Sequence, residues 1–365
     1  MNMQNLRNVV EPFRSLREGL DEVVIGYSEL KDALVCALFR RALGLKGHML
    51  VYSAPGLAKT TLMKGASQLV ASMNGGHVAY SRVQGRSDLT PEEFLFRRRS
   101  EYDDEGRLHF VNVLQTVKSF LTESVGALPG FWHFDELDKV PGRAQFGLLQ
   151  VMEEQQVTVD DETLDLCFTM FATANTKKYD PQAQPIPVSV KDRFTSVVEL
   201  GFLPLDDDVE VLKLAGMGVK RPLPVVKTLD PQDLITLRQI VAERGLGGLI
   251  SISDEIIRAC ATVTKLTQTR LPQFTDFSGK FKVVAGPRSY IDLLQEAAVM
   301  SLIAGHDRIQ PAACIKVGCR VYRGRVEVTP DVTMATETAD TVLTKILHEV
   351  FAGMKVSGGG SGSRP

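Results

Sequence analysis

The chain has 365 residues, 44% hydrophobic and 24% charged, a balance that excludes global disorder. Its length fits two domains, or one large α/β unit with an appendage. A formal charge of −2 excludes a strongly basic surface built to neutralise phosphates, though not a local basic groove. The five cysteines are scattered, odd in number and without a C-x-x-C pair, and the opening MNMQNLRNVVEPFRSL lacks an apolar signal core, so a reduced, cytoplasmic protein is expected.

In chain order, residues 28–43 place apolar side chains at helical spacing, and His48–Tyr52 reads as a short buried strand. A Pro/Gly turn at 53–58 opens into a helix. Strand-like runs recur at 78–83, 131–134, 166–173 and 197–203 with helical segments between them, the alternation of an α/β fold: a parallel sheet with helices on both faces. Hairpins are predicted at about 95–111, with Asp103, Asp104 and Gly106 near the turn, and at 156–166 around Asp160-Asp161. These elements make a first domain over 1–205. Residues 206–230, with DDD at 206–208 and three nearby prolines, read as a linker. A helix-rich region follows at 231–325, with Asp230 and Ser253 as N-caps, then an extension at 326–356 whose residues 338–351 form an amphipathic helix. The apolar segment 289–304 is interrupted by Asp292 and Glu296, so no membrane span is expected, and SGGGSGSRP at 357–365 is a flexible tail.

Two motifs carry chemistry. Ser53-Ala54-Pro55-Gly56-Leu57-Ala58-Lys59-Thr60, with Thr61 behind it, lies between a strand and a helix, the setting of a phosphate-binding loop. Backbone N–H groups there would wrap phosphates, Lys59 would reach the β- and γ-phosphates, and the Thr60 hydroxyl would ligate Mg²⁺. Ser53 and Ala58 break the strict glycine pattern, and a plain Pro/Gly turn with an incidental lysine is the competing reading. The second motif is the apolar strand 131–134 running into Asp135-Glu136. Asp135 would hold Mg²⁺ through its water shell and Glu136 would act as general base; a helix N-cap is the bland alternative. Together, in the right order on the right elements, they point to ATP or GTP with Mg²⁺.

At these residues the chain resembles the AAA+ superfamily, and within it the MoxR family. The carriers are PGLAKT at 55–60, FDELDKVPGRAQFGLLQVMEEQQVTVDDETL at 134–164, ATAN at 172–175, KDRF at 191–194 and GPRSYIDLLQEAA at 286–298. The resemblance implies a P-loop parallel-sheet core followed by a small α-helical lid. It makes Asn175 a sensor of the γ-phosphate, Arg193 an arginine finger, Arg288 a second sensor in the lid, and the hairpins two insertions of this clade. A finger working in trans implies a homo-oligomer, by family expectation a hexameric ring, remodelling a protein client, with von Willebrand factor A-domain proteins as frequent partners. A motor on nucleic acid and a non-enzymatic nucleotide switch or scaffold remain the alternatives. Weaker signals have bland readings: Arg97-Arg98-Arg99 a self-neutralising solvated hairpin, Cys314 and Cys319 buried thiols, His133 a packed strand residue.

Overall fold

The computed structural model describes residues 3–102, 105, 107–122, 127–159, 162–177, 180–216, 222–269, 271, 274, 277, 279–334, 337–352 and 354. The hairpin-turn residues Asp103, Asp104, Gly106, Asp160 and Asp161, and the tail at 357–365, lie outside them. Two compact units divide the chain, Met1–Gly245 and Leu246–Pro365. Among the described residues no helix is long and apolar enough to cross a membrane.

The first unit opens with helices α1 (Met3–Val23) and α2 (Ser28–Ala42), then strand β1 (Met49–Ser53), helix α3 (Lys59–Met73) and strand β2 (Tyr80–Gln84). A helical turn, α4 (Pro91–Phe94), leads into the hairpin β3 (Phe96–Tyr102)–β4 (Leu108–Leu114). After β5 (Gly130–Asp135) come α5 (Gly142–Phe146), α6 (Leu148–Glu154) and a second hairpin, β6 (Gln156–Val159)–β7 (Glu162–Asp165). Then follow β8 (Phe168–Ala174), α7 (Val188–Lys191), β9 (Ser196–Leu200), α8 (Leu205–Val211) and α9 (Pro231–Arg244). The sheet runs β2-β5-β8-β1-β9 and every pairing in it is parallel, so all five carboxyl ends lie on one edge.

The apolar runs are strands because both faces of the inner sheet are covered. Every residue of β5 and β8 is buried, whereas edge strand β2 alternates, with Val83 buried between exposed Arg82 and Gln84. Aromatic packing fixes β5 and β8: Trp132 meets Phe168 edge-on at 5.1 Å, and Phe131 stacks on Phe171 at 4.2 Å. Fully burying each such ring stabilises the core by roughly 2–3 kcal/mol.

The second unit is mainly helical: α10 (Asp254–Gln268), β10 (Phe281–Val283), α11 (Pro287–Ile303), α12 (Pro311–Tyr322), β11 (Glu327–Val328), α13 (Pro330–Met334) and α14 (Ala339–Phe351). Ser253 caps α10 by accepting from the Ile256 amide, and Asp230 caps α9 in the same way through Gln232. Asp292 and Glu296, which break the apolar run of α11, are buried and paired with Arg325 at 2.5 Å and Arg320 at 2.6 Å.

Several boundaries differ from the sequence expectation. Residues 201–203 are not strand; β9 stops at Leu200. The expected linker begins as a helix, since Asp206–Asp208 fall in the first turn of α8, where the helix dipole favours carboxylates; its Lys220 and Arg221 lie outside the described residues. The helical region expected from 231 begins, as a compact unit, at Leu246. Helix α9 stays with the first unit because it packs on α1 and Arg238 donates to the carbonyls of Ala42 and Ala127.

His48 joins the sheet to α6. Its Nδ1 accepts from the Met170 amide at 3.1 Å, leaving Nε2–H to donate to the Met152 carbonyl at 3.2 Å. Burial, assisted by the nearby Arg41 charge, depresses its pKa from 6.5 to about 3. Because the folded value is the lower one, the unfolded chain takes up the proton first. Stability from this site is therefore complete above pH 6.5 and declines as the pH falls towards 3. Denaturant titrations should show His48 contributing a loss of about 1.4 kcal/mol per pH unit in that window. His48→Asn should flatten the slope, and an unchanged slope would contradict the assignment.

Candidate active site

The site forms where the carboxyl ends of β1, β5 and β8 meet, the edge at which open parallel sheets bind ligands. At the end of β1 the chain turns sharply through Gly56 at φ 82° and Ala58 at φ 53° before α3 begins at Lys59. Gly56 takes the left-handed conformation without cost; Ala58 holds it under strain, as residues at functional turns often do. No side chain caps α3 and its first turn holds no acidic residue. The helix thus presents orphan N–H groups and an uncompensated positive dipole end, suited to an anion.

Lys59 reaches back across this turn. Its Nζ donates to Ser53 Oγ at 2.5 Å and lies 3.4 Å from the Ala54 carbonyl and 3.5 Å from Asn175 Oδ1. Ser53, where a glycine is usual in this loop, is buried and so supplies a lysine partner that glycine could not. Burial lowers the Lys59 pKa against the opposing pull of Asp135, Asp138 and Glu136. Thr60 and Thr61, both exposed, start the helix beside a cavity of about 660 Å³, whose walls include Val24, Ile25, Leu214 and Pro224. Apolar walls beside an anion-binding turn fit a ligand with a flat apolar part and a charged tail.

The acidic pair lies at the end of β5. Thr173 on β8 donates its hydroxyl to Asp135 Oδ1 at 2.5 Å, and Arg82 on β2 donates to Oδ2 at 2.6 Å. Burial would raise the Asp135 pKa, but these two bonds together with the neighbouring charge of Arg82 hold the carboxyl below its usual range. Glu136 adopts a left-handed φ of 54°, donates its amide to Thr173 Oγ1 at 3.0 Å, and accepts from Gln84 Nε2 at 2.7 Å. Gly85 allows β2 to come this close, since a Cβ there would stand 2.0 Å from the Glu136 carbonyl oxygen. Asn175 follows β8 and is oriented through its amide, which donates to Asp138 Oδ1 at 2.8 Å.

Among the described residues no group of three or more His, Cys, Asp or Glu could hold a metal by itself. The donors present nonetheless fit Mg²⁺, which takes one or two protein oxygens and completes its shell with water and phosphate. Asp135 is ionised and fixed, and Thr60 offers a hydroxyl on the uncapped first turn.

The structure thus brings Ser53, Lys59, Asp135, Glu136 and Asn175 into one constellation. Arg193 is not paired with it: its Nε lies 3.0 Å from Glu153 Oε2, and Asp192 is 3.5 Å from its Nη1. Arg288 belongs to the second unit, in the first turn of α11. His133 is fully buried, with Tyr80 OH 3.4 Å from Nδ1 and a pKa lowered to about 4 by burial, so it is a neutral strand residue. Cys314 is buried while Cys319 is half-exposed. Sequence reasoning missed Arg82, Gln84, Thr173, Asp138 and the cavity walls. The period-2 alternation of Tyr80, Arg82 and Gln84 was the available signal, since it places all three on the face shared with His133 and Asp135.

Comparison with known proteins finds relatives of the core and of the whole chain. Residues 48–196, from the start of β1 to the start of β9, match the model of the ATPase family associated with various cellular activities (AAA). The chain is similar to the chaperone MoxR1 of Mycobacterium tuberculosis, 25% identical over 330 residues that span 90% of this chain and 79% of that protein. It is also similar to YeaC of Bacillus subtilis, 22% identical over 340 residues covering 91% and 92% of the two chains. In fold it resembles the crystal structure of a candidate ATPase from Cytophaga hutchinsonii, with a TM-score of 0.72, 21% identity, and 95% and 96% coverage. The constellation at the sheet edge, the matching core and the MoxR relative point the same way: residues 48–196 form a core similar to the AAA ATPase family, and the chain as a whole resembles a MoxR-type chaperone.

Proposed function

We propose that the chain works as a homo-oligomeric, hexameric ring that couples hydrolysis of Mg²⁺-bound ATP to remodelling, maturation or assembly of a protein client. The observation that carries this reading is the meeting of Lys59, Asp135, Glu136 and Asn175 beside an uncapped helix start and an apolar cavity. In this reading the backbone of Ala54–Thr61 cradles the phosphates and Lys59 exchanges its Ser53 partner for a phosphate oxygen. Thr60 and Asp135 hold the metal, which when bound supplies charge neutralisation for the leaving phosphates. Glu136, set in place by Gln84 and Thr173, takes a proton from the attacking water. Asn175, already within 3.5 Å of Lys59 Nζ, positions that water or the γ-phosphate.

Arg193 is the finger offered to a neighbouring subunit, where it would exchange its carboxylate partners Glu153 and Asp192 for a nucleotide phosphate. Arg288, in the first turn of α11, is the second sensor of this reading. The chaperone role of the M. tuberculosis relative supports a protein client, with von Willebrand factor A-domain proteins the first to test. So does the hairpin β3–β4, whose paired Tyr102 and Leu108 are both exposed, 74% and 53%.

Glu136→Gln should bind ATP but lower turnover by about 10²–10⁴-fold, and Arg193→Ala by about 10³-fold. Wild-type specific activity should rise with protein concentration as subunits assemble. Steady-state phosphate release that survives both substitutions, or that ignores concentration, would reject the shared-site mechanism. Affinity capture with Glu136→Gln plus ATP should retain a client that a second form carrying Tyr102→Ser and Leu108→Ser as well does not. Equal retention would remove the β3–β4 hairpin from client recognition.

A further inference from the structure

Arg82 stands on the edge strand β2, its side chain 44% exposed, and it forks between Gln84 Oε1 at 2.9 Å and Asp135 Oδ2 at 2.6 Å. The carboxylate itself is 8% exposed, and its other oxygen is already committed to Thr173. Thr173 cannot turn away freely, because its Oγ1 also accepts the Glu136 amide at 3.0 Å and so directs its hydrogen to Asp135. Oδ2 is therefore the oxygen left for a cation or its water shell, and a guanidinium stands against it.

We propose that Arg82 is a built-in counter-cation for Asp135 that competes with the divalent metal and must swing off Oδ2 when the metal arrives with nucleotide. This rests on the reading of Asp135 as the metal-holding carboxylate. Two positive groups cannot share that oxygen without repulsion, and in a half-buried site the repulsion is poorly screened. Arg82 has room to leave, since it lies at the sheet edge and is half-exposed, whereas Asp135 is held by β5 and Thr173. Before metal binds, the guanidinium keeps a buried carboxylate ionised and paired, which preserves the site for its cation. The contact thus sets how much Mg²⁺ the site needs, not whether nucleotide binds.

The test is equilibrium binding of a fluorescent, non-hydrolysable ATP analogue to the full chain, first in EDTA and then across a Mg²⁺ titration. Arg82→Met should leave the EDTA affinity unchanged and lower the half-saturating Mg²⁺ concentration by about three- to tenfold, the range for a partly exposed, hydrogen-bonded ion pair. Arg82→Lys, which keeps the charge, should stay close to wild type. Should Arg82→Met fail to fold, Arg82→Gln also removes the charge and carries the same expectation. An unchanged Mg²⁺ requirement in the neutral variants overturns the proposal, and a raised requirement overturns it in favour of Arg82 merely positioning Asp135. Failure of the wild-type chain to bind the analogue with or without Mg²⁺ would reject the nucleotide assignment instead.

Discussion

The Thr173 hydroxyl ties the end of β8 to the end of β5, and the geometry of the site depends on it. It donates to Asp135 Oδ1 and accepts the Glu136 amide, so one side chain fixes both the direction of the first carboxylate and the left-handed turn that presents the second. Two residues later along the same strand direction, Asn175 reaches the Lys59 ammonium. The parallel sheet makes this convergence possible, because it delivers three strand ends to one edge, and the aromatic layer around Trp132 and Phe168 keeps those strands in register.

Near-neutral net charge acquires a meaning in this arrangement. In the proposed reading anion binding draws not on a basic face but on one half-buried lysine, an uncapped helix and a small number of donors aimed at one place. The same economy applies to the carboxylates. Asp135 carries its charge in a largely buried position because Thr173 and Arg82 hold it, and Glu136 is tethered by Gln84. Each anchor comes from a neighbouring strand, so the sheet is part of the chemistry and not merely its support.

Much of this was legible in the sequence for a physical reason. Buried strands of a parallel sheet are continuous apolar runs, so FWHF before Asp135-Glu136 and the run ending in Ala174-Asn175 identify themselves, and the Pro/Gly turn before Lys59 announces the loop. The two hairpins were equally readable from alternation and turn residues. Edge strand β2 was harder. Its Arg82 and Gln84 look like ordinary solvent-facing residues, and only register against His133 and Asp135 gives them partners. The boundary of the second unit was missed because composition turns helical at 231, whereas packing of α9 on α1, a property of tertiary contact, keeps that helix with the first. Ser53 read as a departure from the loop pattern; its contact with Lys59 depends on a side-chain direction that spacing does not encode.

The central claim is that Lys59 at the sheet edge is the cation that receives the nucleotide. Calorimetric titration of ATP with Mg²⁺ into wild type and Lys59→Ala tests it most directly, with thermal melts run alongside. The account predicts that the variant keeps its melting behaviour and loses affinity by at least about tenfold, the cost of removing a charged hydrogen-bond donor. Wild-type affinity in a folded Lys59→Ala protein would contradict it.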